Sequence, residues 1–83
     1  MAIYPQDARW KQLQSRINEQ LSGDGWQLRQ LDVVRTNGRD VTHAVLERIR
    51  EDETSDQVLG TGATADEAVL AAIRTARVYP APV

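Results

Sequence analysis

The chain has few side chains that could carry out chemistry, and one candidate pair stands out. His43 is the single histidine, and cysteine is absent, which excludes disulfides and thiolate metal sites. Asp32 would face His43 if the flanking segments pair as a hairpin, and a carboxylate beside an imidazole can orient a general base. No nucleophile accompanies the pair, and a structural cross-strand contact is the alternative interpretation. We therefore expect no catalytic residues and no enzymatic activity.

An acidic segment and a pair of glycines are the other candidate sites. Carboxylates that could attract a hard cation occur at Glu51, Asp52, Glu53 and Asp56. Their spacing lacks the alternating ligands and the glycine of a calcium-binding loop, so a polar turn is the favoured interpretation. Gly60-x-Gly62 falls far short of a phosphate-binding fingerprint, and Asp66 and Glu67 soon after it would repel an anion. We expect neither a metal nor a cofactor.

Arginine supplies nine of the ten basic residues, and charge is unevenly distributed along the chain. Residues 1–50 carry eight basic and six acidic side chains, whereas residues 51–83 carry two and six. A nucleic-acid surface could use four of these arginines, namely Arg9, Arg16, Arg35 and Arg39. The alternative is a solvated face with local pairs such as Arg35 with Asp40. The net charge of −2 matches neither a polyphosphate binder nor a DNA mimic.

Length and composition predict one small globular domain spanning residues 1–83. The chain is 41% hydrophobic and 27% charged, which is too apolar for a disordered segment. Its apolar runs are too short for a membrane span. The N-terminal residues do not resemble a secretory leader. We therefore expect a cytoplasmic location.

The first half of the chain predicts a helix followed by a hairpin. Apolar residues spaced by three or four predict a helix over about 7–22, with Trp10, Leu13, Ile17 and Leu21 on its buried side. A strand over about 26–35 follows, and its apolar residues change phase, which predicts a bulge near Arg29 and Gln30. Asn37-Gly38 predicts a type I′ turn into a strand over about 39–50.

The second half predicts a short strand and a capped helix. The strand covers about 57–61, and the helix about 65–77 begins at a capping box formed by Thr64 and Glu67. Residues 78–83 form an extended tail. The predicted fold class is α+β, with the order α-β-β-β-α and two helices packed on one face of a three-stranded antiparallel meander. The face of the second strand that meets the helices stays open, because Val41, Val45 and Ile49 compete with Ala44 and Leu46.

This order of elements resembles that of double-stranded-RNA-binding domains. Residues 59–76 also resemble HicB-type antitoxins, through the helix entry Gly-x-Thr-x-x-Glu-Ala at Gly62, Thr64, Glu67 and Ala68. The RNA-binding family places lysines at the start of its last helix to grip phosphates, whereas this chain has Ala65, Asp66 and Glu67 there. The resemblance therefore implies the fold, and the departure argues against phosphate binding at that position.

These observations lead to the expectation of a non-enzymatic protein-binding module. Its contact residues are predicted on the last helix and tail, at Leu70, Arg74, Arg77 and Tyr79, where an apolar patch would be rimmed by arginine. The alternative is that the tail folds back over Leu70 and both complete the core. Such a module could be an adaptor, an antitoxin-like neutraliser or an inhibitor, and it could form a homodimer. The alternative is an RNA-binding module that uses the first helix and the Asn37-Gly38 hairpin.

Overall fold

The computed structural model describes residues 7–21 and 25–79, which form five elements. These are α1 (Ala8–Gln20), β1 (Gln27–Thr36), β2 (Arg39–Ile49), β3 (Ser55–Gly62) and α2 (Ala65–Arg77). The strands form one antiparallel sheet in the order β1-β2-β3, and both helices cover the same face. The predicted fold class is confirmed. Residues 80–83 of the predicted tail lie outside the described residues. No helix in the described part of the chain has the length and hydropathy needed to cross a membrane.

The hairpin between β1 and β2 has the predicted turn, register and bulge. Asn37 and Gly38 have φ angles of 51° and 75°, as a type I′ turn requires. Asp32 lies opposite His43 in the ladder, and the register shifts between Leu28 and Gln30. The backbone N–H of Leu28 beside this bulge donates to Gln14 Oε1 at 2.8 Å, so α1 satisfies an amide at the irregularity.

The start of α2 is capped largely as predicted. Thr64 Oγ1 accepts from the backbone N–H of Glu67 at 3.2 Å. The Glu67 carboxylate accepts from the backbone N–H of Ala63 at 3.0 Å, one residue before the expected donor. Asp66 and Glu67 also lie at the positive end of the helix dipole. These local interactions fix where α2 begins.

Two glycines of β3 bring α2 unusually close to the sheet. A Cβ atom added at Gly60 would lie 2.8 Å from the Cα of Ala72, and closer still to backbone atoms of Ala68 and Ala72. A Cβ atom at Gly62 would lie 2.6 Å from the Cβ of Glu67. The obstacles at Gly60 are helix backbone atoms, so the axis of α2 lies directly over β3.

The core settles which face of β2 meets the helices. Thr42, Ala44, Leu46 and Arg48 point inward and are buried, whereas Val41, Val45 and Ile49 point to the other face. The remaining core is aliphatic and aromatic, and both tryptophans are buried in it. Its largest fully buried side chains are Leu13, Ile17, Leu31, Leu46, Val69 and Ile73.

The third strand is longer than the sequence predicts. β3 begins at Ser55 and pairs with β2 without interruption as far as Gly62. The sequence predicts Asp56 in the polar turn that precedes the strand. It instead lies opposite Arg48 in the ladder and is buried, because the two side chains form an ion pair inside the fold.

Candidate functional site

The face of the sheet on which no helix of the described residues packs, which we call the open face, is the leading candidate for a functional surface. Antiparallel sheets with one solvated face usually alternate between apolar and polar residues, with the polar residues outward. Here the outward side chains include five aliphatic residues, namely Val34, Val41, Val45, Ile49 and Leu59. Val34, Ile49 and Leu59 are 42%, 69% and 54% exposed. The open face is therefore more apolar than a solvated sheet surface needs to be.

The apolar residues of the open face alternate with polar rows across the strands. The ladder aligns Gln30, Val45 and Leu59 in one row and Asp32, His43 and Thr61 in the next. These rows result directly from the register of the two hairpins. They give the middle of the face an apolar row flanked by hydrogen-bonding groups.

A small charged cluster closes one end of the open face. Arg29 Nε lies 3.2 Å from Glu47 Oε1, and Gln57 Nε2 donates to Glu47 Oε2 at 2.8 Å. A cavity of about 210 Å³ lies beside this cluster, lined by Gly25, Gln27, Glu47 and Ile49. This volume is below the ~300–1,000 Å³ of ordinary small-molecule sites. This cavity is therefore too small for an ordinary small-molecule ligand.

A buried ion-pair cluster on the opposite, helix-covered face holds the same end of the sheet together. Arg48 Nη2 donates to Asp56 Oδ2 at 2.8 Å, and Arg50 Nε donates to the same oxygen at 2.9 Å. Arg50 Nη2 also donates to Asp56 Oδ1. Hydrogen bonds from Arg50 and then from Arg48 lower the pKa of Asp56 from its usual 3.8 to about 2. Asp56 is thus a structural anion, and it cannot serve as the cation ligand considered from the sequence.

Two aromatic rings enclose the guanidinium of Arg48. Its central carbon lies 4.7 Å from the centroid of the Trp26 ring and 5.8 Å from that of Tyr79. The two rings meet edge to face with centroids 5.8 Å apart. Such cation–π contacts stabilise a charged group that is removed from water. The buried Nε1 of Trp26 has no hydrogen-bond partner.

The four contact residues predicted on the last helix and tail do not share one surface in the structure. Leu70, Arg74 and Arg77 lie on the exposed side of α2, and Leu70 is 40% exposed. Arg77 Nη2 donates to Gln20 Oε1 of α1. Tyr79 is half-buried and packs against Trp26, so it belongs to the interior rather than to the same surface.

The arginines considered for nucleic-acid binding lie in two groups. Arg9 and Arg16 on α1 both form ion pairs with Asp66 at the start of α2. Arg35 and Arg39 lie in the strand ends beside the hairpin turn, where both are exposed and Arg35 lies opposite Asp40. The first pair thus bonds the two helices to each other, and its charge is partly neutralised.

The remaining catalytic and metal candidates do not come together in a site. Asp32 lies opposite His43 as the hairpin predicts, but its carboxylate accepts from Gln30 Nε2. In the turn after β2, Asp52 Oδ1 accepts from the backbone N–H of Thr54 at 3.1 Å and from its hydroxyl. Within residues 7–21 and 25–79, no group of three or more histidine, aspartate or glutamate residues could hold a metal ion.

Sequence reasoning missed three contributions to these surfaces. The role of Gln14 at the bulge and the pairing of Arg48 with Asp56 depend on tertiary contacts that no local pattern announces. The apolar open face had a visible signal, because Val41, Val45 and Ile49 share one parity of β2. Which parity would be exposed could not be read from that pattern alone.

Comparison with known proteins identifies no relative of this chain. No family model matches it, and none of the curated proteins or solved structures compared with it is a match.

Proposed function

We propose that this protein is a small binding module that acts by occupying a surface of another protein through its open face. The observation that carries the proposal is the orientation of β2. The more apolar side of this central strand, which carries Val41, Val45 and Ile49, points away from both helices. Apolar side chains left in water on a flat, preformed surface are typical of a docking site, because covering them releases the free energy of their hydration.

The other features of the open face support recognition of a protein. Its polar rows supply hydrogen-bonding groups around the apolar row, which matches the mixed character of protein interfaces. The sheet behind it packs on the core, and the Arg48–Asp56 pair joins β2 to β3, so the surface is already formed before a partner binds. The mechanism is passive, and an adaptor, a neutraliser or an inhibitor would each work in this way. A cytoplasmic location is part of this proposal.

The test is affinity capture of the tagged protein from a nuclease-treated lysate of its source, followed by mass spectrometry. We expect a stoichiometric protein that is lost when Ile49→Arg is introduced and is retained with Leu70→Arg. Both side chains are exposed, so both variants should fold, and thermal unfolding checks that they do. Loss with Leu70→Arg alone would move the contact to the outer side of α2.

The same experiment separates the alternative function, RNA binding. That function predicts recovery of nucleic acid in the untreated lysate, with binding that falls steeply as salt increases. It also predicts loss of binding when Arg35→Glu and Arg39→Glu are combined. Recovery of nucleic acid that depends on these two arginines would overturn the proposal.

A further inference from the structure

The two edges of the sheet differ in a way that bears on how a partner binds. β1 forms one edge and β3 the other, because the strand order is β1-β2-β3. The edge of β1 carries a bulge beside Leu28, and the backbone N–H of that residue donates to the side chain of Gln14. It also presents Arg29, Asp32 and Arg35. Bulges, charges and covering groups are the means by which proteins prevent further strands from pairing at an edge.

Within residues 7–21 and 25–79, the edge formed by β3 has neither a bulge nor an exposed charge, and α2 lies over it. β3 pairs with β2 in continuous register over its full length, so its backbone is regular. Its single ionisable residue, Asp56, is buried and paired with Arg48 and Arg50. The side chains that β3 directs to the open face are uncharged, namely Ser55, Gln57, Leu59 and Thr61.

From this asymmetry we propose that β3 is a strand-addition site that takes an uncharged, extended segment of a partner protein. This inference rests on the proposed function. It names the backbone edge of β3 as the place where the partner bonds. The added strand would bond to the outer backbone edge of β3, and every second side chain would extend the apolar row of Val45 and Leu59. An uncharged segment fits because no charge on this edge could pair with one.

The position of α2 decides against a second copy of this chain as the occupant. Adjacent strands lie about 4.8 Å apart, whereas packed helices need about 8–10 Å between their axes. Antiparallel pairing of two β3 strands would place both α2 helices on one side. Since α2 lies directly over β3 at Gly60, the two helices would overlap. Parallel pairing would force Leu59 of each copy beneath the closely packed α2 of the other.

The same geometry defines the segment that fits. The flank of α2 that faces away from α1 carries Ala71 and Thr75, which lie about 120–180° around the helix from Asp66 and Arg77, the residues that contact α1. This flank extends over the place where an added strand would lie. Side chains of the added strand that face α2 must therefore be small, and those on the open face can be larger and apolar. The structure thus favours a segment that alternates small and β-branched residues.

The test uses an eight-residue peptide that alternates alanine with valine or threonine, with both ends blocked. Titrated into the ¹⁵N-labelled full chain, it should shift the amide resonances of β3 and slow their hydrogen exchange. Leu59→Lys should weaken binding by up to about fivefold, the loss of one cross-strand apolar pair, whereas Val34→Lys on β1 should not change it. The same peptide with every amide N-methylated, or with leucine in place of each alanine, should not bind.

Three results would overturn the inference. One is the absence of any shift in β3 with the peptide near its solubility limit, and another is binding that maps to β1. The third is a dimer of the protein alone, seen by sedimentation equilibrium, that Leu59→Lys dissociates. If these results occur while capture of a partner still depends on Ile49, the strand-addition site is refuted and the proposed function stands.

Discussion

Replacing Gly60 with alanine is the most direct test of how α2 packs on the sheet. The new Cβ atom would lie 2.8 Å from the Cα of Ala72, and it would also overlap the carbonyl oxygen of Ala68 and the nitrogen of Ala72. Carbon atoms in contact prefer about 3.5–4.0 Å, so α2 would have to retreat by about 1 Å. These obstacles are backbone atoms of a helix, which cannot rotate away as a long side chain can.

The cost of that retreat can be estimated from the contacts it weakens. Gaps of about 0.5–1 Å remove a quarter to a half of the dispersion energy at an interface, and α2 buries Val69 and Ile73 there. Overpacked cores typically lose about 1–3 kcal/mol, and the backbone clash places Gly60→Ala near the upper end, at about 3 kcal/mol. For a domain of this size, about 1 kcal/mol shifts Tm by about 4–8 °C, so Tm should fall by about 12–24 °C.

The assay is thermal and urea unfolding followed by circular dichroism, with Gly38→Ala as the matched control. A Cβ atom at Gly38 would meet nothing within 4 Å, so its cost comes from the positive φ of the hairpin turn alone. That cost is about 1–2 kcal/mol. Adding Ala72→Gly to Gly60→Ala should give little rescue, because the clash involves the helix backbone. A Gly60→Ala protein as stable as the Gly38→Ala protein would refute the close approach of α2.

Three further predictions concern the charged and capping groups. The pKa of Asp56 is lower in the folded chain than its usual 3.8, so its carboxylate stabilises the fold above about pH 4 and this stabilisation is lost as the pH falls toward 2. Urea unfolding at several pH values should show that the free energy of unfolding falls with pH in the natural protein and falls less in Asp56→Asn. An equal dependence on pH in both proteins would contradict this prediction. Thr64→Ala removes the cap of α2 and should cost about 1 kcal/mol by the same assay, with Thr64→Ser retaining most of it. Asp66→Asn breaks two exposed ion pairs with α1 and should cost less than about 1 kcal/mol, a difference that disappears at 1 M salt.

Local chemistry made most of the secondary structure predictable. Asn37-Gly38 fixes the hairpin register because both residues accept a positive φ, and the phase change between Leu28 and Leu31 reveals the bulge. The start of α2 follows from the cap at Thr64. Each of these features depends on residues close together in the sequence, which is why periodicity and turn chemistry are sufficient to find them.

The orientation of β2 depends on distant residues, and hydrophobicity alone would favour the opposite outcome. Val41, Val45 and Ile49 are the more apolar set, yet the helices cover the parity that includes Arg48. Burial of the side that includes Arg48 is favourable because its guanidinium pairs with Asp56 on β3 and lies over the ring of Trp26. Neither partner is adjacent to Arg48 in the sequence. Which side of β2 belongs to the open face is therefore decided by tertiary pairing and not by the local pattern.

The close packing of α2 links the stability of the fold to the proposed binding site. Gly60 and Gly62 let the helix backbone rest on β3, and this contact stabilises the core. The same contact places the flank of α2 over the outer edge of β3, so the helix limits which strands can be added there. A chain with bulkier residues in place of these glycines would hold its helix farther out and leave more room at the edge. The glycines thus account for both the tight core and the preference for a segment with small residues on one side.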